Sequence, residues 1–243
     1  MRMLTFSNRT AKEILRDPLN LAFGLGFPVA LLLLLSAIQA NIPVKMFELD
    51  MLTPGITVFG LSFMTLFSAT LVAKDRESAL LQRLYTTPLT AMDFIFGYIL
   101  PILPIAIAQS IVCYIVAVIL GLKITVTILY ALLAIIPISL FFICLGLLCG
   151  SIFNVKQVGG ICGALITNLT GWFAGIWFDI SAVGGAFEKI ANALPFVHMV
   201  NLEKAILNSN CSGVSTDILW IALYTVASIV ISILLFLRQM KRQ

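Results

Sequence analysis

The stretch "GITVFGLSFMTLFSATLVAKDRESALLQRLYTTPLTAMDFIFGYIL", residues 55–100, sets an apolar run (55–73) against a short charged loop (74–90) and then a second apolar run. A run of about twenty apolar residues crosses a hydrocarbon core as a helix, and a helix satisfies its own backbone there. The same alternation recurs along the chain. It predicts six transmembrane helices, over 19–39, 55–73, 93–120, 124–150, 158–177 and 218–237. The composition agrees: 60% of residues are hydrophobic and 11% charged, with a mean hydropathy of +1.08, well outside the balance of a soluble domain. The expected fold class is all-α integral membrane, one transmembrane domain over 1–243, without fixed-period repeats or low-complexity tracts.

Lysine and arginine set the expected orientation. Arg2, Arg9, Lys12 and Arg16 precede the first span, Lys74, Arg76 and Arg83 follow the second, Lys156 follows the fourth, and Arg238, Lys241 and Arg242 close the chain. Lys45, Lys123, Lys189 and Lys204 fall on the other side. The positive-inside rule therefore puts both termini in the cytoplasm. The net charge of +4 sits in these cytoplasmic segments, where it meets anionic lipid headgroups, and is not a nucleic-acid signal. A polar arm ahead of a full-length apolar run, with no convincing cleavage site, reads as a retained N-terminus rather than a signal peptide.

Residues 1–18 place Leu4, Ala11, Ile14 and Leu15 on one helical stripe, with Arg9, Lys12, Glu13 and Arg16 around it. This predicts an amphipathic helix in the cytoplasmic interface, stopped near Asp17-Pro18; a disordered basic arm is the alternative. In the 74–92 loop, Glu77, Leu80, Leu81 and Leu84 share a face at helical spacing, and Arg76 and Arg83 share another. That is a short amphipathic helix. Pro88 draws Thr87 out of the helical region and ends it, and Thr90 with Asp93 caps the next span. The residues alone suit either a hairpin lying on headgroups or a docking helix for a protein partner.

The outer segment, 178–217, is apolar but too broken to span. "GGAFEKIANALPFVHMVNLEKAIL" predicts two short re-entrant helices parted at Leu194-Pro195, one aligning Phe187, Ile190 and Leu194, the other Phe196, Val200, Glu203 and Ile206.

The predicted span interiors hold no Asp, Glu, Lys, Arg or His, which argues against ion-coupled carriers, proton relays and intramembrane hydrolases. The single histidine, His198, has no acidic partner on the next helical turn and reads as a surface or interfacial residue. No catalytic, cofactor or metal site is expected. Cys113, Cys144, Cys149 and Cys162 fall inside spans and Cys211 alone lies outside, so no external disulfide framework forms. No G-x-x-x-x-G-K-[ST] is present, so energy from ATP must come through a partner.

"AKDRESALLQRLYTTPLTAMDFIFGYIL", with "ILRDPLN" before the first span and "LPFVHMVNLEKAIL" before the last, resembles the signature pattern of ABC-2 type transporter permeases over nearly the whole chain. The resemblance implies the membrane half of an ATP-binding-cassette exporter, multi-pass in a bacterial inner membrane. Its partners would be a separate ABC ATPase subunit, which holds ATP and Mg, and a second permease copy or sister permease. It also implies that residues 75–87 are a coupling helix, with Glu77 and Arg83 as polar contacts and Leu80, Leu81 and Leu84 packed into the ATPase cleft or against the bundle.

In span 5, Gly160, Ala164, Thr167 and Gly171 form a small-residue stripe for close helix approach, either within one subunit or between two; Asn168 beside it calls for an interhelical hydrogen bond. Phe59, Phe63 and Phe67 line one face of span 2, either packing the bundle or walling a pathway. Pro28, Pro101, Pro104 and Pro137 predict kinks. The expected cargo is apolar or amphipathic: a drug, antimicrobial peptide or lipid-linked compound. The competing reading is a non-transport regulatory or assembly protein that binds a cytoplasmic partner through the 74–92 loop.

Overall fold

A computed structural model describes residues 2–42, 47–85, 90–209 and 213–240. Thr86, Thr87, Pro88 and Cys211 lie outside the described residues, and with them the expected proline stop. Among the described residues all regular structure is helical: α1 (Arg2–Leu15), α2 (Pro18–Asn41), α3 (Leu49–Glu77), α4 (Leu80–Tyr85), α5 (Ala91–Leu120), α6 (Thr127–Ile152), α7 (Val155–Val158), a π-helical stretch (Gly159–Ile166), α8 (Thr167–Phe173), α9 (Ile180–Val183), α10 (Gly185–Ala193), α11 (Pro195–Leu207) and α12 (Val214–Met240).

Five of these, α2, α3, α5, α6 and α12, are long and apolar enough to cross a membrane. The predicted fifth span differs. Its stretch is helical from Val155 to Phe173 but built of three pieces, with the π-helical turn in the middle. Gly159, Gly160 and Gly163 weaken the α-helical preference there, and Thr167 donates its hydroxyl to the carbonyl of Cys162, five residues back, a reach that suits the wider π turn.

α3 is the central helix, buried along nearly all of Leu52–Ala73, and packs most extensively on α6. The approach is close because Gly146 and Gly150 of α6 lie directly on the α3 backbone at Thr65 and Ala69. Thr65 and Ser68 donate hydroxyls to the Phe142 and Ile143 carbonyls, each at 3.0 Å, the small-residue and hydroxyl chemistry that joins helices in lipid. The helices run on through Pro28, Pro54, Pro101, Pro104 and Pro137.

The N-terminal helix forms as expected, but of its expected apolar stripe only Ile14 is buried. Phe6, Thr10 and Ile14 are its buried row, while Leu4 and Leu15 are exposed. Phe6 fits against Gly97 of α5 and meets Phe94 and Tyr98 edge-on. α1 thus lies against α5, with its leucines turned outward.

Candidate functional site

The middle of α1, the end of α3 and the first turns of α5 converge on Asp75, which is buried (2% exposed). Arg9 donates to both its carboxylate oxygens at 2.6 Å, and the Tyr98 hydroxyl donates to one of them at 2.7 Å. Arg9 also pairs with Glu13 at 2.7 Å, whose carboxyl is raised above its ordinary pKa by burial and by Asp75. Lys74 lies 3.7 Å from Asp17, the residue that caps α2 through Asn20. A bidentate arginine fork fixes orientation as well as charge, so α1 is held on the end of α3.

The next two residues of α3 reach the other way. Arg76 donates to the carbonyls of Ser151 and Phe153, where α6 leaves its last carbonyls unsatisfied. The Glu77 carboxylate accepts from the Val155 backbone N–H at 2.9 Å, capping α7. Together they grip both sides of the α6–α7 elbow.

The short helix after span 2 exists, but its boundaries correct the sequence reading. α3 continues to Glu77, and Ala79 breaks the helix with a left-handed backbone (φ 56°). That break resets the helical phase, so Glu77 does not share a face with Leu80, Leu81 and Leu84 of α4. Leu81 is buried in the main core, Leu84 packs against it, Leu80 is half-buried and Arg83 is exposed. Thr90 and Asp93 then form the expected capping box at the start of α5.

The small-residue stripe divides. Gly160 and Ala164 are exposed, and a Cβ on Gly160 would meet nothing within 4 Å. Thr167 and Gly171 are buried, Gly171 against Trp177 and Phe59. Asn168 donates to the Ala164 carbonyl of its own helix at 2.8 Å instead of to a neighbouring helix. Phe59, Phe63 and Phe27 form an aromatic cluster that Trp177 joins through Phe59. Phe67 lies apart from it, against Gly24, and lines a cavity of ≈ 260 Å³ with Glu13, Asp17 and Lys74.

In the 178–217 segment the break falls at Leu194, as predicted, with a further short helix, α9, ahead of it. His198 is not a surface residue. It is buried, its Nδ1 lies 2.7 Å from an Asp217 carboxylate oxygen and its Nε2 3.0 Å from the Asn192 carbonyl, and it stacks on Trp220. The acidic partner comes from the first turn of α12, where a search along one helical turn could not find it. α11 also carries Glu203 into the bundle, fully buried, accepting from the Tyr114 hydroxyl of α5 at 2.6 Å. The interiors of the predicted spans hold no Asp, Glu, Lys, Arg or His, with Asp93 at a helix mouth, but the bundle they enclose takes in His198, Glu203 and Asp217.

Sequence reasoning missed Arg9, Asp75, Tyr98 and Arg76 as a connected set. The one local signal was the unbroken charged run "KDRE" at the end of an apolar helix. A family model described as ABC-2 type transporter matches residues 2–207, from α1 through α11. Comparison with curated proteins found no match. With the match covering most of a multi-pass helical chain, the protein belongs to the ABC-2 type transporter family.

Proposed function

We propose that this chain is the permease subunit of an ABC exporter, moving an apolar or amphipathic molecule outward across a bacterial inner membrane. A separate ABC ATPase subunit, carrying ATP and Mg, supplies the energy. Both termini and α4 face the cytoplasm, the stretch from Val155 to Phe173 makes a sixth crossing, and α9–α11 form the outer, re-entrant segment. Two such permeases, identical or sister chains, work together.

The observation that carries this reading is the rooting of α4. Directly before it, Asp75, Arg76 and Glu77 tie the end of α3 to α1, α5 and the α6–α7 elbow; directly after it, the Thr90 capping box starts α5. A push on α4 therefore reaches the central helix and, through Val155, the irregular fifth crossing. In this role Leu80 and Arg83 are the contacts offered to the ATPase. Leu81 and Leu84 hold α4 on the bundle, and Glu77 transmits movement to the elbow.

The test is co-purification and ATP turnover with a candidate ABC ATPase subunit. Leu80→Asp with Arg83→Glu should abolish ATPase binding while leaving the permease folded. Glu77→Ala should keep binding but uncouple turnover from the permease. If all these variants bind and turn over as the native chain does, α4 is an interfacial hairpin and the ATPase contact lies elsewhere; if the native chain neither binds the ATPase nor stimulates its turnover, the assembly reading takes its place.

A further inference from the structure

Glu203 is the most deeply buried carboxyl that the proposed coupling route does not use. Its Oε2 accepts from Tyr114, and its Oε1 has no hydrogen-bond partner among the described residues. An ionised carboxylate taken out of water without a cation costs several kcal/mol, and such a group takes up a proton instead.

Among the described residues no cation acts on the carboxyl. Tyr114 is the titratable group that acts on the carboxyl, and Cys113 lies beside Tyr114 on α5. On α11 itself, His198 is engaged by Asp217 of α12. Lys204 lines two outer cavities instead of reaching the acid. Asp50 of α3, Glu188 and Lys189 of α10 and Tyr224 of α12 are not among the groups that act on it. Burial accordingly pushes the Glu203 carboxyl up to about 8.

The helix that carries this acid borders two cavities. Asn201 and Lys204, on either side of Glu203, line cavities of ≈ 630 and ≈ 500 Å³. A rotation of α11 would carry the carboxyl from the Tyr114 contact into them.

We propose that Glu203 is a proton-binding site that latches α11: a proton taken from the outer aqueous face seats the helix against α5, and its return to water as α11 rotates releases the segment. This rests on the exporter reading for what "outer" means, but the latch belongs to the chain alone. The linkage has a definite sign. The carboxyl carries its proton up to about pH 8 when seated and, once solvated, only up to about its ordinary 4.5. Seating is therefore strongest below pH 4.5, weakens by up to about tenfold per pH unit between these values, and levels off above pH 8.

The experiment is hydrogen–deuterium exchange of 195–207, corrected for intrinsic rates, from pH 5 to 9. It uses the full chain without any ATPase, in nanodiscs of phosphatidylethanolamine and phosphatidylglycerol. Native protein should lose protection in α11 as pH rises, and Glu203→Gln, which cannot ionise, should hold it flat. Tyr114→Phe removes a hydrogen bond that favours the carboxylate, so the loss should extend past pH 8. A flat native profile overturns the proposal. So does a slope that survives in Glu203→Gln, which would assign it to His198 or another group. A flat profile would leave the ATPase-binding result untouched, so the two readings fail separately.

Discussion

Asp75 is where residue-scale chemistry decides the architecture. It is buried, it receives three hydrogen bonds, and their donors come from α1 and α5. Asp75→Asn keeps the shape but strips the charge that two guanidinium donors answer. Removing one partner of a buried ion pair costs roughly 3–5 kcal/mol, and a half-exposed partner lowers that; Arg9 is 40% exposed, so the expected loss is about 2 kcal/mol. Tryptophan-monitored thermal unfolding in detergent should show the drop. Arg9→Lys, which keeps charge but cannot make the planar fork, should lie between the Asp75→Asn variant and native protein in stability. Tyr98→Phe, which deletes one neutral donor, should cost about 1 kcal/mol. Equal midpoints for all three variants would mean that α1 is held by the packing of Phe6 alone.

At the scale of elements, the α3–α6 contact is the least tolerant of added volume. A Cβ on Gly146 would sit on the Thr65 carbonyl and the Ser68 hydroxyl, and both residues are held to α6 by hydrogen bonds from their hydroxyls. Gly146→Ala should therefore destabilise by about 3 kcal/mol, read as lost monodisperse protein on size exclusion and a lower unfolding midpoint. Gly26 has open space around it, and Gly26→Ala on α2 should do no harm. The apolar runs, the Thr90–Asp93 cap and the Leu194–Pro195 break were legible in the sequence because each is a local signal carried by adjacent residues. The Ala79 turn was not, since an alanine carries no mark of a left-handed backbone and the leucine periodicity runs through it. The π-helical turn left only its glycines as a trace. Arg9 with Asp75, Tyr114 with Glu203 and His198 with Asp217 were hidden for another reason. Each pair joins two elements, and helical periodicity tests only neighbours one turn apart on the same helix.

For the whole molecule, the division of the fifth stretch into a bare half and a buried half bears on assembly. A Cβ added at Gly159 or Gly160 would meet nothing within 4 Å, and Ala164 and Leu165 are exposed beside them, whereas Gly171 is closed in by Trp177 and Phe59. Exposed small residues on a lipid-embedded helix permit close approach by a second helix. If two permeases meet there, Gly160→Trp blocks the approach without touching its own subunit. The expected outcome is a monomer in nanodiscs by mass photometry, with an unfolding midpoint within about 2 °C of native, as for a surface change worth under about 0.5 kcal/mol. Gly171→Trp, placed on the buried half, should instead fail to fold. A dimer that survives Gly160→Trp would move the subunit contact away from the π-helical stretch, and the exposed row Val226, Val230 and Leu234 of α12 would be the next surface to probe.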